Sequence, residues 1–218
     1  MPDLPGRSAM NRCPLLRPAT SLLLVFLLLA AQAPLSSPAE ASLTGYLSKY
    51  RNIPVSPGQL KRIARYNHLI EYFSSFAYIR PKHRVNADFI RALMLAESNG
   101  HPKALSSKGA KGLCQITFAT GKRAARELAQ KNLPFRYVSK RRLANLKPRD
   151  LYSPAVNILL TCYLIAKYNA AFQGKLDLVV SAWNAGENSI SNNRPPQYKE
   201  TLNLIGKVNG YFSYFLKN

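Results

Sequence analysis

Asn86 to Gly100 reads NADFIRALMLAESNG, and this stretch decides the fold. Asn86 can cap a helix, Asp88 falls in the first turn, where the helix dipole favours a carboxylate, and Ser98-Asn99-Gly100 ends it. Ile90, Leu93 and Met94 recur at helical spacing and mark a face turned towards apolar packing. Glu97 lies on that same face and in the last turn, at the negative end of the dipole. Desolvation and the dipole both push its carboxyl towards the neutral range, as a general acid requires. On this helix alone, a partly buried glutamate paired with one of many Arg or Lys side chains is the better reading of the pattern.

Working outward, the helical pattern repeats. Upstream, Ser56-Pro57 with Gln59 carries the marks of a helix start, and Leu60, Ile63, Ile70, Phe73 and Phe76 follow at helical spacing up to Arg80-Pro81. Downstream, residues 101–113 form a loop rich in Pro and Gly, and Thr117 opens a helix to about Gln130. Residues 131–152 are strongly basic. Ser153-Pro154 starts a long helix to Phe172 that ends at Gly174. Asp177 is expected to cap a shorter helix ending near Gly186, and a last helical stretch follows Pro195-Pro196. No alternating strand pattern interrupts this order, so the fold class is mainly α.

The termini and charge point to export. Arg7, Arg12 and Arg17 precede an apolar run, Leu22 to Ala31, and Ala31-Gln32-Ala33 then forms a small-x-small cleavage site. This is the layout of a signal peptide over 1–33, and the run is too short to span a bilayer comfortably. Residues 34–56 show no clear periodicity and are expected as a linker leading into a helical extension to residue 84. The main domain then covers 85–218. Cleavage after Ala33 would remove three arginines and one aspartate, so the formal charge falls from +21 to +19. So positive a chain favours anionic surroundings. In an exported protein these are envelope polymers and phospholipid surfaces, and no nucleic-acid partner is expected. Protein partners are not legible. His68, His83 and His101 show no metal-ligand spacing with each other or with cysteine, so neither a metal nor a cofactor is expected.

Further clusters give Glu97 a context. Glu97-Ser98 is followed by HPKALS ending at Ser106, GAKGLCQ from Gly109 to Gln115, Asn157 with Tyr163-Leu164, AWNAG from Ala182 to Gly186, and Glu200-Thr201. Across residues 85–208 this order and spacing resembles the soluble-type lytic transglycosylases, relatives of goose-type lysozyme. The resemblance implies a lysozyme-like helical domain with a deep glycan-binding cleft. It also implies a peptidoglycan substrate and cleavage of the MurNAc-β-1,4-GlcNAc bond without water. Glu97 would protonate the leaving oxygen and then take a proton from the sugar's own C6 hydroxyl, closing a 1,6-anhydro ring. Most glycosidases use two carboxylates; an internal nucleophile dispenses with the second.

Carried over by position, Ser106, Gln115, Trp183 and Asn184 would contact substrate. Ser98 would brace the catalytic turn, Gly112 would permit close backbone approach, and Asn157 and Gly186 would be structural. The chain departs from the family pattern at Cys114 (usually Met), Thr161 (usually Gly), Trp183 (usually Tyr) and Leu204 (usually Tyr). Trp183 is expected to lose a hydroxyl beside Glu97 while keeping an aromatic sugar platform. Cys114 and Cys162 are the two cysteines left after export, and the family packs their segments together, so a disulfide between them is expected. Two other readings are a hydrolytic muramidase and a weakly active, glycan-gripping component of an envelope-spanning machine.

Overall fold

The computed structural model describes residues 38–81 and 84–218, with side chains described from Leu43 onwards. The expected signal segment lies outside them. Nine α-helices follow in order among the described residues: α1 (Pro38–Tyr50), α2 (Pro57–Ala64), α3 (Asn67–Ser74), α4 (Ala87–Ser98), α5 (Phe118–Ala129), α6 (Lys140–Ala144), α7 (Pro154–Phe172), α8 (Leu176–Ala185) and α9 (Lys199–Lys217). Short 3-10 turns cover Pro148–Tyr152 and Glu187–Ser189, and only isolated β-bridges occur between them.

The caps anticipated from sequence set several of these bounds. Asn86 accepts from the amides of Asp88 and Phe89 to start α4, and Asn99 ends it in the left-handed region at φ 55°. Ser56 and Gln59 close a reciprocal capping box on α2. The long pattern from Ser56 divides into α2 and α3, because the chain turns at Arg65 and Tyr66. Helix α7 is apolar nearly all round and runs through the core, with Val156, Ile158, Leu159, Leu160 and Leu164 fully or almost fully buried.

Three expectations are corrected. Residues 34–56 are not simply a linker, because they contain α1, which lies against α9. Leu43, Tyr46 and Leu47 give α1 an apolar stripe at i, i+3 and i+4 that packs on the core, and one turn on, the Tyr50 hydroxyl donates to Asn203 Oδ1 of α9 at 2.6 Å. The receiving surface is Gly206 and Gly210, one turn apart on α9. A Cβ on Gly206 would come within 2.6 Å of the Tyr46 carbonyl oxygen, and one on Gly210 within 2.2 Å of the Tyr50 carbonyl oxygen. Nor does a boundary fall at residue 84. Ile63, Ile70 and Phe73 belong to the same hydrophobic cluster as α4 and α7, and residues 36–218 form one compact unit.

The basic stretch is also more ordered than its composition suggests. It contains α6 and the 3-10 turn Pro148–Tyr152, joined by a 3.0 Å ion pair between Arg142 and Asp150. Finally, Asp177 is in the first turn of α8 with Lys175 at the cap position. It favours the dipole there without capping the helix.

Candidate active site

Glu97 stands at the end of α4 beside an open cleft of about 300 Å³. Ser106, Gln115, Trp183, Asn184 and Glu200 line the same cleft, so residues spread over a hundred positions converge on one carboxyl. A second cleft of similar volume, lined by Ile79, Arg80, Arg84 and Gln173, includes no carboxylate among its lining residues.

One wall of the cleft is the segment from Ser106 to Ile116, and it is built by polar anchoring. Asn157, fully buried on α7, accepts from the amide of Cys114 at 2.9 Å and donates to the carbonyls of Lys111 (3.0 Å) and Leu151 (2.9 Å). All three side-chain bonds are satisfied inside the core, where an unmet polar group is costly. Gly112 sits directly against this anchor at φ 80°. A Cβ there would lie 2.3 Å from the Leu151 oxygen and 2.5 Å from Asn157 Nδ2. Ser98 Oγ donates to the Leu113 carbonyl at 2.6 Å and ties the wall to the last turn of α4. Ser98 and Asn157 thus both bond to the segment from Lys111 to Cys114, and Gly112 lies within it. Gly186 follows α8 at φ 87°, a conformation that L side chains rarely adopt.

The residues expected to meet substrate are themselves held. Ser106 Oγ accepts from the Ala110 amide at 3.0 Å, closing the turn at the cleft rim. Gln115 adopts φ 51° and donates from Nε2 to the Gly112 carbonyl at 2.9 Å. Asn184 Oδ1 accepts from Thr201 Oγ1 at 2.7 Å, which joins the AWNAG segment to the first turns of α9.

Trp183 corrects the expectation of a lost donor. Its indole Nε1–H donates to Glu97 Oε1 at 2.8 Å, so the ring supplies a hydrogen bond as well as a face. Burial pushes the Glu97 carboxyl up from 4.5 to about 7, and the nearby Glu200 charge adds to the rise. The Trp183 bond and the Lys207 charge oppose it. The balance leaves a group able to hold a proton near neutrality and to release it, the condition for general acid–base work.

The disulfide is absent. Cys114 and Cys162 are both buried free thiols. Consecutive positions on α7 point about 100° apart, and Thr161, one step before Cys162, is the residue whose hydroxyl counters the effect of burial on the Cys114 thiol. Cys162 Sγ instead faces Ser74 Oγ at 3.8 Å. Burial pushes the Cys162 thiol up to about 12 and holds that of Cys114 higher still, so both are inert small apolar groups.

Sequence reasoning did not place several lining residues in the site, Leu164, Tyr168 and Lys108 among them. Leu164 and Tyr168 reach the cleft from α7. The signal was present, since both extend the helical stripe that begins at Asn157 and Thr161. Lys108 also lines the cleft and forms a 2.6 Å ion pair with Glu200, from the turn beside Ser106 to the start of α9. Nothing local in the sequence announces that pairing.

A helical domain with one elevated glutamate at the head of a polar cleft is the architecture of the lysozyme-like glycan-cleaving enzymes. The chain belongs to the Transglycosylase SLT domain family, which it matches over residues 74–204. Among solved structures it resembles the 70 kDa soluble lytic transglycosylase of Escherichia coli, at 20% identity with a TM-score of 0.54, covering 70% of this chain and 25% of that one. It is also similar to an inactive mutant of the lytic transglycosylase Slt from Pseudomonas aeruginosa, at 22% identity with a TM-score of 0.49, covering 61% of this chain and 22% of the other. The chain thus spans about a quarter of the length of the solved proteins it matches.

Proposed function

We propose that this protein is an exported lytic transglycosylase that cuts peptidoglycan glycan strands at the MurNAc-β-1,4-GlcNAc bond and leaves 1,6-anhydroMurNAc ends. The observation that carries the reading is Glu97, an elevated carboxyl held by Trp183 at the wall of the family's cleft. Its proton goes to the glycosidic oxygen as the bond to C1 breaks. The resulting carboxylate then accepts the C6 hydroxyl proton as that oxygen closes on C1. Ser106, Gln115 and Asn184 supply polar groups at the rim for the sugar hydroxyls and acetamido groups, and the Trp183 ring supplies an apolar face.

A hydrolytic reading has one observation in its favour, because Glu200 is a second carboxylate in the same cleft. Its pairing with Lys108 and its exposure argue against a poised base. Mass spectrometry of digested sacculi decides between them: anhydro ends support the transglycosylase, and reducing ends alone overturn it. Glu97→Gln should lower cleavage by roughly 10²–10⁴-fold, the usual worth of a general acid; activity within a few-fold of wild type refutes the assignment.

The basic surface supports a second contact, with phosphate-bearing envelope polymers. Arg141, Lys147 and Arg149 are exposed around one depression, while Arg142 is turned to Asp150. Retention on sacculi should weaken as salt shortens the screening length and should fall when these three become Ser; indifference to both removes this contact from the reading.

A further inference from the structure

We infer that Trp183 is a positioning residue that places the acidic proton of Glu97 on Oε2, the carboxyl oxygen that opens to the cleft. This rests on the acid role given to Glu97 above and adds which of its two oxygens does the work. The indole N–H donates and has no lone pair with which to accept. Its 2.8 Å bond therefore obliges Oε1 to be an acceptor in both protonation states. In a neutral carboxyl the carbonyl oxygen is the stronger acceptor, so Oε1 becomes the carbonyl and the hydrogen resides on Oε2.

The surroundings leave Oε2 free for that purpose. Among the described residues, Trp183 is the one hydrogen-bond partner of the Glu97 side chain, and no buried side-chain oxygen or nitrogen lacks a partner. Oε2 is therefore reached by solvent through the cleft that Glu97 lines. The other ionisable groups that act on Glu97 are Glu200 and Lys207 from α9, the Cys114 thiol lies within reach of its charge, and none of the three bonds to it. A tyrosine at position 183 would behave differently, because a phenol can accept as well as donate. It could take a proton from either orientation of the acid and would leave the site of the hydrogen open. The exchange to tryptophan removes that freedom.

The chain holds a single tryptophan, so its indole N–H gives one resonance in a ¹⁵N-labelled sample. That resonance should lie downfield of its position in Glu97→Ala and move with a midpoint near 7. Below the midpoint it should remain downfield and protected from solvent exchange, because Oε1 still accepts. In Glu97→Gln, which keeps the acceptor, the resonance should stay downfield and its titration should vanish. A resonance that at pH 5 collapses to the Glu97→Ala position, or never titrates, overturns the inference. Glu97→Gln serves as the reference should the alanine variant fail to fold. Because no substrate is present, this readout stands even if glycan cleavage is not found.

Activity gives the second arm. Trp183→Phe should lower the maximal rate roughly tenfold or more, the scale of a hydrogen bond to a charged group, and should move the basic limb of the pH profile upwards. Trp183→Tyr, which restores a donor, should return the limb towards wild type. A merely packing role would lower the rate of Trp183→Phe without moving the limb, and that result also overturns the inference.

Discussion

Replacing Gly112 by alanine tests the link between the core and the cleft wall most severely. The new Cβ would be placed 2.3 Å from the Leu151 oxygen and 2.5 Å from Asn157 Nδ2. Neither neighbour is a flexible tip: one is backbone, and the other is a buried amide committed to three hydrogen bonds. The positive φ of 80° alone costs an L residue about 1–2 kcal/mol. Displacing Asn157 leaves at least one buried polar group unmet, at about 1–3 kcal/mol. The sum is about 2–5 kcal/mol, a large share of the stability of an ordinary domain. For a chain of this size that corresponds to a fall in Tm of about 4–20 °C. Gly109→Ala is the internal control, since φ is 78° there but the nearest heavy atom to its Cβ is Lys111 Nζ at 4.0 Å. It should lose only the conformational cost. Thermal unfolding followed by circular dichroism measures both variants, and a Gly112→Ala loss within about 1 kcal/mol of the Gly109→Ala loss would refute the clash argument.

Three more outcomes follow from particular contacts. The folded-state proton affinity of Glu97 is raised, so the native state holds a proton that the unfolded chain has released between pH 4.5 and about 7; stability from this group is full below that window and is lost as pH rises through it. Glu97→Gln should therefore be more stable than wild type at pH 8, with the gap closing near pH 5, and chemical denaturation at the two values that shows no such convergence counts against the buried acid. Gly206→Leu drives a side chain into the Tyr46 backbone, so limited proteolysis should cut within residues 38–56 much faster than in wild type; unchanged resistance would mean that α1 does not depend on that approach. Peptide mapping of denatured, unreduced protein after alkylation should find Cys114 and Cys162 both labelled, and a linked pair of peptides would restore the bridge that the structure lacks.

What the sequence disclosed, and what it withheld, divides along a physical line. Asn86, Ser56 and Thr117 announce helix starts because a cap is a contact between residues two or three apart. Glu97 was legible for a similar reason, since its face and its place in the last turn are properties of one helix. By contrast, α1 escapes a local reading. Its stripe is short, and its partner surface is a pair of glycines on α9 whose value lies only in what they leave empty.

The site shows the same division at atomic scale. Position alone brings Trp183 and Glu97 to one cleft, but they lie 86 residues apart, and residue type cannot say whether the ring face or the indole edge meets the carboxyl. Subtracting the tyrosine hydroxyl therefore predicts a missing donor, whereas the larger ring reaches the same oxygen with a nitrogen. The cysteines fail for the complementary reason: counting leaves Cys114 and Cys162 as a pair, yet one step along α7 turns the side chain through about 100° and presents Thr161 in place of sulfur. In both cases the sequence names the groups that approach, and the direction of a single side chain decides the chemistry.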